Sequence, residues 1–210
     1  MRWLGSWPFC FGAAAAQNLG LQLALGLTTN APADLRVVQA GFPETVVEGA
    51  RFAGRDLEYF PYYTLRLWYG GQTGWRYELE LIHQKLYFTE AERGGEIVQQ
   101  FNITDGLLFN VAYALEAAPV RVVPRLGLGV LVLHPETVVR DQAWGIDGDP
   151  RGYHLGGWGG QIALVLETSW RPSLYAEGKW ALGYGRVQIA GGYAEGWFRS
   201  LHTTWGLGWP

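Results

Sequence analysis

Apolar and polar residues alternate along most of this chain, in segments of roughly ten residues that return eight times. In the first, 19–29, Leu19, Leu21, Leu23, Leu25 and Leu27 fall on one face and Gly20, Gln22, Ala24 and Gly26 on the other. A strict period of two predicts a β-strand, because a helix repeats its apolar face every 3.6 residues. The next segments are 61–70, with Tyr63, Leu65, Leu67 and Tyr69 against Thr64, Arg66 and Trp68, and 75–83, with Trp75, Tyr77, Leu79 and Leu81 against Arg76, Glu78 and Glu80. A strand within 98–115 carries Phe109, Val111, Tyr113 and Leu115 on one face, and 122–133 sets Leu126, Leu128, Val130 and Val132 against Arg125, Gly127 and Gly129. In 157–167, Ile162, Leu164 and Leu166 oppose Gln161, Ala163 and Glu167; in 173–182, Leu174, Trp180 and Leu182 oppose Tyr175, Glu177 and Lys179. The chain ends on Leu201, Thr203, Trp205, Leu207 and Trp209 alternating with His202, Thr204, Gly206 and Gly208.

The connections alternate too. Long ones span 30–59, 84–97, 134–153 and 183–192, although 187–189 can extend the last hairpin; short, Gly- or Pro-bearing ones span 70–74, 116–119 and 169–172. Together these predict an all-β fold: an eight-stranded antiparallel up-and-down transmembrane β-barrel with short periplasmic turns and long outer loops. An even strand number puts both termini on the side of the short turns.

The direction of the faces separates this from a water-soluble barrel. One face carries Arg66, Arg76, Glu78, Glu80, Arg125, Glu167, Glu177 and Lys179, and the other Leu, Val, Ile, Tyr and Trp. A lipocalin-like carrier would put the apolar face inside around a ligand. Eight strands enclose an interior just wide enough to be filled by side chains. Apolar residues outside, against lipid, with opposite charges neutralising one another inside, is the arrangement without strain. Closure then satisfies every backbone N–H and C=O in lipid. The aromatics Tyr69, Trp75, Tyr113, Trp205 and Trp209 fall near strand ends, where interface belts form.

Composition agrees. The chain has 210 residues, one domain's worth; aromatics are 15% of it, and 30 residues are Gly. A net charge of −3 gives no electrostatic case for nucleic acid. No apolar run approaches the ~18–20 residues of a transmembrane helix. The N-terminus reads as an export signal over 1–16: Arg2, an apolar stretch from Trp3 to Phe11, then Ala13 to Ala16 as a small-residue cleavage site before Gln17. A single barrel domain, 17–210, follows. Cleavage removes Cys10, the sole cysteine, which suits an oxidising compartment.

On these features the chain resembles, by architecture over about 19–209, the small eight-stranded outer-membrane barrels of the OmpA transmembrane domain and OmpX type. The resemblance implies a bacterial outer-membrane location, outer-membrane lipid as surroundings, and recognition of the alternating C-terminal strand by the outer-membrane assembly machinery. The chain departs from that pattern in that Pro210 follows the terminal aromatic Trp209.

Three constellations could carry chemistry. The inward charges read as a salt-bridged lumen, with Arg66 and Arg76 pairing Glu78 or Glu80 and Lys179 reaching Glu177 or Glu167; a polar conduit is the alternative. Ser200 and His202 share a strand face, the pairing used in acyl transfer. Lipid A deacylases of the PagL type are eight-stranded barrels using Ser, His and an acid, but their motif runs His-x-Ser and this chain runs Ser-x-His; Glu195 or Glu177 is the candidate orienting acid. His83, His134 and His154, with Asp141, Asp147 and Asp149, match no metal-ligand spacing, so neither a metal nor a cofactor is expected. The reading is a monomeric outer-membrane barrel with a closed lumen and a structural or surface-interaction role, meeting any extracellular partner through its loops. The alternatives are a lipid A-modifying hydrolase and a carrier of a small apolar ligand.

Overall fold

The computed structural model describes residues 18–146 and 152–210; the expected export segment and Asp147 and Asp149 lie outside them. Twelve strands run in order β1 (Asn18–Asn30), β2 (Ala33–Gln39), β3 (Thr45–Ala53), β4 (Tyr63–Gly70), β5 (Gly74–Glu90), β6 (Val98–Ala117), β7 (Val120–Leu133), β8 (Glu136–Val139), β9 (Gln142–Trp144), β10 (His154–Thr168), β11 (Ser173–Ile189) and β12 (Gly192–Trp209). Eight make the wall. Each of β1, β4, β5, β6, β7, β10, β11 and β12 pairs antiparallel with the next, and β12 returns to β1 from Leu21↔Trp209 to Asn30↔Ser200. The ladder therefore closes, which removes the sheet edges that lipid cannot hydrate.

The period-two pattern sorts the side chains as the physics requires. Leu23, Leu67, Leu79, Leu126, Leu164 and Leu207 point outward and are exposed, while Gln22, Arg66, Glu80, Arg125 and Glu177 point inward and are buried. On the side of the short turns Trp75 packs edge-on against Tyr113 at 5.0 Å. Towards the other end Trp158 and Tyr184 both pack on Trp197, at 5.4 and 5.5 Å, on three neighbouring strands. An outer surface of leucine bounded by aromatics is one that hydrocarbon covers. No helix among the described residues is long and apolar enough to cross a membrane; the crossing is made by strands.

The outer connections differ from the long loops expected of them. β5 runs on to Glu90, so Lys85 and Leu86 are buried wall residues, and the loop before β6 shrinks to 91–97. β11 and β12 meet across Ala190 and Gly191, the glycine holding a φ of 70°, so 183–189 is strand. The 30–59 connection folds into the β2–β3 hairpin, whose strands add to β12 and β5. Alternation continues there: Ala33, Leu35 and Val37 interleave with Asp34 and Arg36. These extensions form a hood beyond the barrel with its own apolar core, including Leu35, Val37, Val47, Phe52, Phe101 and Ile189. Burying each such side chain is worth ~1.5–3 kcal/mol, which is why these connections are ordered sheet.

On the hood's outside Glu195 of β12 takes hydrogen bonds from the Tyr184 hydroxyl at 2.6 Å and from Arg36 and Arg186 at 2.7 Å each. The Tyr184 bond, with help from the two arginines, holds its carboxyl at about 2 against an ordinary 4.5. Arg36 also grips Glu44 within the hairpin through two bonds of 2.8 Å, so its bond to Glu195 ties the hairpin to the wall.

Candidate functional site

The inward side chains are stacked in three levels. At the short-turn end, Glu167 (β10) receives Arg76 (β5) at 2.8 Å, Arg121 (β7) at 3.1 Å and the Ser173 hydroxyl at 2.9 Å. Arg76 also donates to the carbonyls of Gly71 and Gln72 and lies over the Trp68 ring. This end of the barrel is closed by its own turn.

The middle level is a ring of charges from β4, β5, β7 and β11. Arg66 meets Glu80 at 2.7 Å, Glu177 at 2.9 Å and the side-chain amide oxygen Oε1 of Gln22 at 2.7 Å. Lys179 bridges Glu80 at 2.6 Å and Glu177 at 2.9 Å. Arg125 pairs with Glu78 and with Glu177. Asn110 and Gln161 donate to the second oxygen of Glu80. All eight charges singled out in the sequence are buried. Arg76 does not reach Glu78 or Glu80: it leaves the same strand one inward step closer to the turn, so its guanidinium points to Glu167 instead. Charges removed from water at this depth are tolerable because each is paired and hydrogen-bonded.

Above the charges lies a short polar layer. The His202 ring stands between two hydroxyls, with Nδ1 2.8 Å from the Tyr62 hydroxyl and Nε2 2.9 Å from Ser200 Oγ. The Gln84 amide donates to Ser200 Oγ at 3.2 Å and to Asn30 Oδ1 at 3.0 Å, and Asn30 donates to the Phe52 carbonyl. Neither proposed orienting acid reaches His202. Glu195 faces outward into its arginine cluster and Glu177 is held by three cations; a tyrosine stands in that place.

Over this layer is a cavity of about 80 Å³ walled by Ile82, Leu108, Leu131, Leu133 and Phe198 and floored by Ser200 and His202. Its room comes from missing side chains. Gly129, Gly159 and Gly183 sit directly opposite one another on β7, β10 and β11 and line the cavity. A side chain at Gly129 would run into the Leu107 carbonyl, and one at Gly159 would lie 2.8 Å from that of Leu182. Leu86 and Ile103, which belong to the hood core, also line the cavity. The remaining histidines serve elsewhere: His83 stacks on Tyr63, His134 on Tyr153, and His154 binds the Gly152 carbonyl. Among the described residues no three His, Cys, Asp or Glu converge on a metal-sized site.

A closed eight-stranded wall, leucine outside and paired charges inside, has the fold of a small outer-membrane β-barrel. The chain is similar to the outer membrane protein AlkL, solved by solid-state NMR in DMPC bilayers, with a TM-score of 0.50 and 8% identity over 99% of this chain and 96% of that one. It is also similar to OprG from Pseudomonas aeruginosa, with a TM-score of 0.45 and 11% identity over 94% and 98%. At such identities the likeness is one of fold. No family model and no curated protein matches the sequence.

Tyr62, Gln84, Asn110, Gln161 and Arg121 complete the site and were not singled out from the sequence. Gln161 carried a signal, as a polar residue on an inward face. Gln84 carried none, because it sits at the β5 irregularity between Ile82 and Lys85, where the alternation slips.

Proposed function

We propose that this barrel is closed to ions by its lower charge network and holds a small apolar molecule in the cavity of its outer half. The observation that carries this reading is the inward glycine row Gly129–Gly159–Gly183, set among aliphatic side chains directly above a fully paired charge layer. A tightly packed barrel would fill that level with side chains. In the measure where one water needs roughly 10–15 Å³, about 80 Å³ takes roughly half a dozen heavy atoms. An apolar lining of this kind favours an apolar guest over water.

Gly106 supplies the test. A Cβ there meets only Leu108 and Leu131 side-chain ends, at 3.4 and 3.7 Å, so Gly106→Leu fills the cavity without disturbing the wall. Methylenecyclohexane titrated into the isotopically labelled protein in lipid nanodiscs is expected to shift the amide signals of Gly129, Gly159 and Gly183, and to leave them unmoved in Gly106→Leu. Equal shifts in both proteins, or none in either, would overturn the reading.

A further inference from the structure

The hydrogen-bond valences at the cavity floor select among ligands. A tyrosine hydroxyl has one proton to donate, a neutral imidazole has one donor and one acceptor nitrogen, and a serine hydroxyl has one proton and two lone pairs. The Tyr62 side chain is fully buried, and among the described residues its hydroxyl has a single partner, His202 Nδ1. A buried O–H left without an acceptor is costly, so Tyr62 donates and Nδ1 accepts. His202 then carries its proton on Nε2 and donates it to Ser200 Oγ. Gln84 donates to the same oxygen, with its NH2 side fixed because Asn30, anchored on the Phe52 carbonyl, offers Gln84 its own oxygen. Both Ser200 lone pairs are thereby used. The Ser200 proton has no acceptor among the described residues, and Ser200 lines the cavity.

We infer that the cavity takes a ligand with a neutral hydrogen-bond acceptor, a carbonyl or ether oxygen, at one end of a compact apolar body, and that the Ser200 hydroxyl donates to it. This rests on the apolar-cavity reading and adds the ligand's chemical class. The opposite proton arrangement would let His202 Nε2 take the Ser200 proton, as a nucleophilic serine requires, but would strand the Tyr62 hydroxyl in a site nothing else can reach. The stranded donor is placed where a guest can satisfy it. Ser200 is thus a binding residue and His202, with Tyr62 and Gln84, orients it.

Cyclohexanone and methylenecyclohexane have the same size and shape and differ in C=O against C=CH2. Their affinities for the protein in nanodiscs, each corrected for partition into the lipid, are expected to differ roughly three- to tenfold in favour of the ketone, the worth of one net hydrogen bond. Ser200→Ala is expected to bring the two affinities together. Nitrogen-15 NMR of the imidazole, assigned by its absence in His202→Gln, is expected to show a protonated Nε2 and a bare Nδ1. Equal affinities for the two probes, or a protonated Nδ1, would overturn the inference with the apolar cavity still standing. Binding of neither probe would overturn both.

Discussion

Replacing Glu80 with alanine is expected to lower the stability of the barrel by about 3–5 kcal/mol, the range for breaking a buried ion pair from one side. Glu80 is the hub of the middle level: Arg66 and Lys179 ion-pair with one of its oxygens, and Asn110 and Gln161 donate to the other. The alanine variant keeps both cations in the lumen with two carboxylates, Glu78 and Glu177, left to share them with Arg125. It also leaves two amides without their acceptor. Glu80→Gln keeps an acceptor oxygen and the side-chain volume but not the charge, so its loss should be smaller. Urea unfolding in lipid vesicles measures both. An alanine variant as stable as the parent would mean that water already shares the network, and the lower half of the barrel could not then be a dry seal.

The second large effect is expected on the opposite face. Leu126, midway along β7, is 59% exposed, and on a water-soluble protein an exposed leucine exchanges for arginine with little effect on stability. In a barrel whose outer face lies in hydrocarbon, Leu126→Arg should cost about 2–4 kcal/mol. Glu90→Arg, on the exposed end of β5 that carries the hood, should cost little. The contrast between the two sites, measured in the same vesicles, locates the lipid without reference to any relative. A neutral Leu126→Arg would mean that water covers this face.

The barrel itself was legible because lipid imposes a simple rule at every second position. The leucines from 19 to 27 and the charges at 66, 76, 78, 80, 125, 167, 177 and 179 are placed by phase alone. Three things were hidden, each for its own physical reason. The hood strands interleave apolar with charged residues, Leu35 between Asp34 and Arg36 for instance, since one face of the hairpin meets water; charge density there reads as loop. Tyr62 and His202 are separated by 140 residues and meet only because β12 closes on β1 beside β4. Phase alone puts the inward glycines on one side of the sheet, but the cavity depends on registers that set Gly129, Gly159 and Gly183 opposite one another. Ser200 and His202 were found as neighbours on one face. Which of them donates is decided by Tyr62, and that partner is visible only in three dimensions.

The barrel interior is divided into a dry, charge-paired seal below and a dry apolar room above. Crystals of the protein held under xenon test this most directly, since xenon enters cavities that are apolar and empty of water. The expected result is a xenon atom bounded by Leu108, Leu131 and Phe198, and none at the level of Arg66, Glu80 and Glu177. Ordered waters filling the upper cavity in place of xenon, or xenon among the charges, would contradict it.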